Sequence, residues 1–146
     1  MKMKTLTALL VFFVSVGSAL AQSTLVFSPP GGGANAKHVV LLSGDEEYRS
    51  EEALPMLAKI LSQRHGFKCT VLFALDPDGT INPDNQKSLP GAEALDTADL
   101  AGVFLRFQQF PKAQMEHFDA YLQRGGPVVG LRTATHAFKT EANDPF

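Results

Sequence analysis

The run His38-Val39-Val40-Leu41-Leu42-Ser43-Gly44 is short, almost continuously apolar and closed by a turn residue. A strand with one wet face alternates apolar and polar residues, so a continuous run of this length suits a strand covered on both faces, as in a parallel sheet. Three more runs follow, Phe67 to Phe73, Ala98 to Leu105 and Pro127 to Leu131. Between the first two, Ser50-Glu51-Glu52-Ala53-Leu54-Pro55 opens a helix: Ser50 is placed to cap, two acids favour the positive end of the dipole, and Pro55 is tolerable only near the first turn. Leu54, Leu57, Ala58 and Leu61 form its core stripe, and Arg64-His65-Gly66 ends it. A second helix begins at Pro111, carries Met115, Phe118, Asp119 and Leu122 on its faces, and stops at Gly125-Gly126. This order of elements predicts an α/β domain with an open, mainly parallel sheet and helices on both faces. The fourth run leads into a turn where a doubly wound sheet would add a helix and outer strands, so residues 37–146 read as an incomplete, N-terminal portion of the domain. A small unit closed by four strands is the alternative.

Residues 1–21 read as a secretory signal peptide. Lys2 and Lys4 give a positive start, Leu6 to Val16 is apolar, and Ala19-Leu20-Ala21 places small residues where a signal peptidase cuts, before Gln22. The apolar stretch is too short to cross a bilayer, so no stable membrane span is expected after cleavage and the chain is expected to be periplasmic or secreted. Residues 22–36, with Ser28-Pro29-Pro30-Gly31-Gly32-Gly33 at their centre, lack hydrophobic periodicity and read as a Pro/Gly-rich linker. No Lys-Ser or Lys-Thr follows the three glycines, so they do not make a phosphate-binding loop.

The chain has 146 residues, 45% hydrophobic and 19% charged, which fits one domain able to bury a core. Thirteen Lys+Arg against fifteen Asp+Glu leave no basic excess, and no nucleic-acid partner is expected. A single cysteine, Cys69, forms neither an internal disulfide nor a zinc site. Asp76-Pro77-Asp78-Gly79-Thr80-Ile81 has the look of a calcium loop, but with Gly79 at the sixth position the first ligand is Ala74 and the twelfth Asn85, so no metal is assigned there. The connection from Asp76 to Leu95 reads as an irregular surface excursion.

Parallel strands send their carboxyl ends to one edge of the sheet, where ligands of open α/β folds bind. Three segments fall there: Gly44-Asp45-Glu46-Glu47-Tyr48-Arg49, Arg106-Phe107-Gln108-Gln109 and Arg132-Thr133-Ala134-Thr135-His136. Asp45, Glu46, Tyr48, Arg49, Arg106, Arg132, Thr133 and Thr135 are candidate ligand contacts, with His136 the candidate catalytic residue. Each has a plainer role beside it. Arg132 finds an internal partner among Asp45, Glu46 and Glu47, or it serves a bound carboxylate, phosphate or sugar hydroxyl. His136 caps a turn or acts as a general base or ligand. Tyr48 and Arg49 pack loop against helix or contact ligand. Phe104, Phe107 and Phe110 are core or pocket wall, and His65 and His117 are surface residues without an obvious partner.

The run Val39 to Gly44, the approach Arg124-Gly125-Gly126-Pro127-Val128-Val129-Gly130-Leu131 and the turn after it resemble the trehalose-utilisation (ThuA-like) domain of the class I glutamine amidotransferase-like superfamily. The likeness covers about residues 37–140. It implies a flavodoxin-like fold and a strained strand-to-helix turn at Gly130-Leu131-Arg132-Thr133-Ala134, where glutaminases of the superfamily hold a cysteine. Arg132 occupies that slot and cannot attack an amide, so glutaminase activity is not expected. ThuA-like domains often carry histidine there, and Arg132 departs from that as well. The resemblance implies a domain that binds or processes a sugar or sugar-derived small molecule; no cofactor is assigned, and because the sheet reads as unfinished a fused or associated C-terminal domain is expected as a further partner. A non-catalytic carbohydrate-binding or partner-organising module is the alternative.

Overall fold

The computed structural model describes residues 24–141, 143, 145 and 146; residues 1–21, expected to form a signal peptide, and the expected cleavage site lie outside the described residues. Period-two alternation divides each central strand between two cores. From β2 (His38–Gly44), β3 (Lys68–Phe73) and β4 (Leu100–Leu105), Val39, Leu41, Cys69, Val71, Phe73 and Phe104 point to one face, where Leu54 and Ala58 of α1 (Ser50–His65) cover them. Val40, Leu42, Leu72, Ala101, Val103 and Leu105 point to the other face, closed by Tyr121 of α2 (Lys112–Gln123) and by a 3-10 turn, Ala92–Thr97. The continuous apolar runs thus reflect a sheet covered on both sides. On α2, Tyr121 rather than Leu122 enters the core, since 115, 118 and 121 share the inward face and Leu122 is exposed.

The sheet has five described strands in the order β1-β3-β2-β4-β5, where β5 is Val128–Gly130. The pairs β2–β3, β2–β4 and β4–β5 are parallel. Counted along the chain, the four parallel strands lie second, first, third, fourth, an order compatible with a flavodoxin-like fold, with its switch point between β2 and β4.

Three expectations need correction. Residues 24–27, assigned above to a linker, form β1 (Thr24–Phe27), which pairs antiparallel with β3 from Thr24↔Leu72 to Phe27↔Cys69. A buried strand such as β3 cannot leave its outer amides unpaired, and the short apolar segment Leu25-Val26-Phe27 supplies the partners. The connection from Asp76 to Leu95, between β3 and β4, is no simple surface excursion either: Leu89, Ala92 and Leu95 are buried, and the Leu89 amide donates to Gln114 Oε1 at 2.8 Å. Asp76 is held by the amides of Asn82 and Asn85 at 2.9 and 3.0 Å, which organises the segment that resembled a calcium loop. Finally, β5 is not covered: Val128 and Val129 are 43% and 49% exposed, and among the described residues the strand pairs only with β4.

Two helix ends also differ in mechanism. Gly66, at φ 76, closes α1 as its sequence implies, donating to Ser62 O at 3.2 Å. At the other end Ser50 does not cap. Arg49 occupies the cap position in the left-handed region, and the buried Ser50 Oγ instead receives the Asp45 amide at 2.9 Å.

Candidate functional site

The three loops beyond the carboxyl ends of β2, β4 and β5 meet at the switch-point edge. They share an unusual backbone feature. Among the described residues, the non-glycine positions with positive φ are Arg49 at 54°, Phe107 at 51° and Arg132 at 53°, one in each loop. A side chain in this conformation costs roughly 1–2 kcal/mol, and such strain persists only where the surroundings fix it.

What fixes it is a buried polar network. Asp45 is fully buried, and its Oδ1 accepts the amides of Glu47 and Tyr48, each at 2.9 Å, which curls the loop after β2 into a turn. Its Oδ2 is engaged by the Thr133 hydroxyl, whose oxygen also lies 3.1 Å from the Leu105 carbonyl. Gln108, also fully buried, donates from Nε2 to Gly44 O at 2.6 Å and to Arg106 O at 2.9 Å, tying the end of β2 to the loop after β4. That loop in turn pairs with the chain after the third one: the Phe107 amide donates to His136 O at 3.0 Å and the Gln108 amide to Ala137 O at 2.7 Å. Each bond inside this buried patch satisfies a group that would otherwise be desolvated without a partner.

On this floor stands a cleft of about 210 Å³ lined by Tyr48, Arg132, Thr133 and His136. The Arg132 guanidinium lies 4.1 Å from the centre of the Tyr48 ring. The His136 ring stacks on Phe107, with centroids 5.1 Å apart and planes at 30°, and its Nδ1 is 3.2 Å from Thr135 Oγ1. Phe107 is therefore the wall against which the imidazole is oriented.

The acids that sequence placed beside Arg132 are directed elsewhere. Glu46 pairs with Arg106, and Glu47 Oε2 lies 3.3 Å from Arg106 Nε. Burial opposes the Arg106 charge, but the hydrogen bond and charge of Glu46, then the charges of Glu47 and Asp45, outweigh it and hold the guanidinium above its ordinary value. Arg49 pairs with Glu52 on the exposed start of α1 and does not line the cleft. Arg132 has neither an ion pair nor a hydrogen bond among the described residues, so the internal-partner role considered above is not the one it plays. The turn it opens, Arg132–His136, is a single 3-10 turn.

The structure thus brings Tyr48, Arg132, Thr133, Thr135 and His136 together, with Asp45 beneath them and Glu46 and Arg106 as a neighbouring ion pair. Sequence reasoning missed Gln108, although its place beside Arg106 in a polar segment after a buried strand was a usable signal. It also left His117 unpartnered, whereas its Nδ1 lies 2.8 Å from Asp96 Oδ1, far from the cleft residues in the chain. No set of acidic, histidine and cysteine side chains suited to a metal occurs among the described residues, and no described helix is long and apolar enough to cross a membrane. Comparison of the chain with known families, curated proteins and solved structures returns no match.

Proposed function

We propose that this chain is an exported domain similar to ThuA-like proteins, periplasmic or secreted, whose cleft binds or processes a sugar or sugar-derived small molecule. One observation carries the reading: Arg132 lines the cleft in a left-handed backbone and pairs with no acid among the described residues, while Asp45, Glu46 and Glu47 bond to other groups. A strained arginine without an internal ionic partner contributes little to the fold, and a ligand is the natural recipient of its donors. The strained turn also matches what the resemblance implies for this position. Cys69 lies in the core of β3, which supports excluding glutaminase chemistry. Binding is favoured over turnover, because among the described residues His136 is the one cleft-lining imidazole and no carboxylate lines the cleft to act as its acid or base counterpart. Where turnover occurs, His136 would move the proton.

The test is a panel of neutral and acidic mono- and disaccharides titrated into the protein, with the NMR resonances of His136 and Tyr48 as readout. At least one sugar should shift both. Arg132→Gly, which relaxes the backbone while deleting the side chain, should abolish the shifts and change stability by less than about 1 kcal/mol, against about 3–5 kcal/mol for breaking a buried ion pair. A panel that moves neither resonance rejects the proposed function.

A further inference from the structure

We infer that the ligand of this cleft is an oxyanion, a small molecule that presents a carboxylate or a phosphate to Arg132, in preference to a neutral sugar. The inference rests on reading the cleft as a small-molecule site, and it follows from an accounting of charge and of hydrogen-bonding capacity.

None of the described acids of the loop after β2 pairs with Arg132, although one oxygen of Glu46 and one of Glu51, in the first turn of α1, are buried without a hydrogen-bond partner. Asp45 is fully buried and takes two backbone amides and the Thr133 hydroxyl. Glu46 and Glu47 face Arg106, and Glu52 faces Arg49. Among the described residues, the guanidinium of Arg132 has only the face of Tyr48 as a partner. An aromatic face supports a cation without accepting its N–H bonds, so the edge of the guanidinium fork remains available: five donors and no acceptor.

The rest of the lining does not redress this. The Thr133 hydroxyl is directed inward to Asp45 and Leu105. Thr135 Oγ1 and His136 Nδ1 face one another at 3.2 Å, leaving one imidazole nitrogen to the cleft. A sugar hydroxyl is both donor and acceptor, and a neutral sugar here would find more donors than acceptors, the latter being the Tyr48 hydroxyl and at most one imidazole nitrogen. An oxyanion needs donors alone. It also neutralises the Arg132 charge, which no described acid pairs with, and two of its oxygens match the guanidinium fork in a bidentate pair. The neighbouring ion pair strengthens the choice, since Arg106 removes Glu46 and Glu47 as competitors that would otherwise repel an incoming anion.

Glucose, glucuronate and glucose 6-phosphate share a ring and differ at one carbon, so they separate charge from shape. Their binding to the full chain is measured by titration calorimetry at low and high salt. At least one anion should bind roughly tenfold or more tightly than glucose, with the preference shrinking as salt rises. The tighter anion identifies carboxylate or phosphate as the source. Arg132→Gln should erase the preference without lowering the melting temperature, and Arg132→Lys should retain part of it for phosphate while losing it for carboxylate. Glucose binding as tightly as both anions overturns the oxyanion inference and leaves the small-molecule site standing. A preference that survives Arg132→Gln overturns its assignment to this residue. No binding by any of the three, with no shift at His136, overturns both the inference and the proposed function.

Discussion

The Thr133 hydroxyl donates to Oδ2 of Asp45, joining the turn after β5 to the loop after β2 across 88 positions of sequence. Both residues are buried, so the bond has no competition from water and is the latch that holds two strained loops at one edge. Thr133→Val keeps the shape and removes the donor. It should cost about 2–3 kcal/mol, because a buried carboxylate oxygen loses a hydrogen-bond partner. Asp45→Asn should cost less, since its remaining carbonyl still accepts the Glu47 and Tyr48 amides while Thr133 turns its proton to the Leu105 carbonyl. Urea unfolding of the two variants checks the order; a milder Thr133→Val would show that the latch is dispensable.

Gly126 lies against the ring of Tyr121, where an added Cβ would come within 2.4–2.6 Å of three ring carbons. The ring cannot retreat: it is 1% exposed, and its hydroxyl donates to Pro127 O at 2.5 Å. Gly126→Ala is therefore expected to destabilise by about 1–3 kcal/mol through overpacking. Thermal melts read this directly, and an unchanged midpoint would mean that the turn between α2 and β5 has slack.

His38 makes stability depend on pH. It is 8% exposed, with Nε2 at 2.9 Å from Thr70 Oγ1 and Nδ1 at 3.2 Å from Thr97 Oγ1. Burial first, and then the Lys68 charge, push the imidazole below its ordinary value of 6.5, with Thr97 and Asp99 opposing. The unfolded chain then binds a proton that the folded chain refuses. The stability contributed by the neutral ring is full above pH 6.5 and is lost as pH falls from there through the depressed folded value. Unfolding free energies of the protein and of His38→Gln, measured from pH 8 downward, should converge as pH falls. Parallel curves would place the acid sensitivity elsewhere.

Cys69 is fully buried, and burial pushes its thiol up to about 11. Only the thiolate attacks an alkylating or disulfide reagent. Labelling with iodoacetamide at pH 8 should run about a hundredfold or more slower in the folded protein than in urea. Equal rates would indicate that β3 opens readily, or that the thiol reaches solvent by another route.

The central strands were legible in sequence because burial on both faces leaves no alternation to disguise them. The helix over Ser50 to His65 was legible for a related reason, as acids, cations and Gly66 mark its ends locally. Edges were harder. A short strand such as Thr24–Phe27 carries no periodicity of its own and exists because β3 needs a partner. Leu89, Ala92 and Leu95 likewise carry a helix-free, proline-rich signature and are drawn inward by the second face of the sheet.

At the site, topology alone implied that loops after parallel strands share an edge, and Arg132, Thr133, His136 and Tyr48 indeed meet there. Partner choice was decided in three dimensions. Sequence offered Asp45, Glu46 and Glu47 to Arg132 on charge alone. The fold gives Asp45 to backbone amides and Thr133, gives the two glutamates to Arg106, and leaves Arg132 over Tyr48. Apolar runs, caps and turns act over a few residues and are written along the chain. Pairing between charges depends on which loop bends toward which, and that is set by backbone conformations, such as the left-handed turns at Arg49, Phe107 and Arg132, that the packed sheet imposes against local preference.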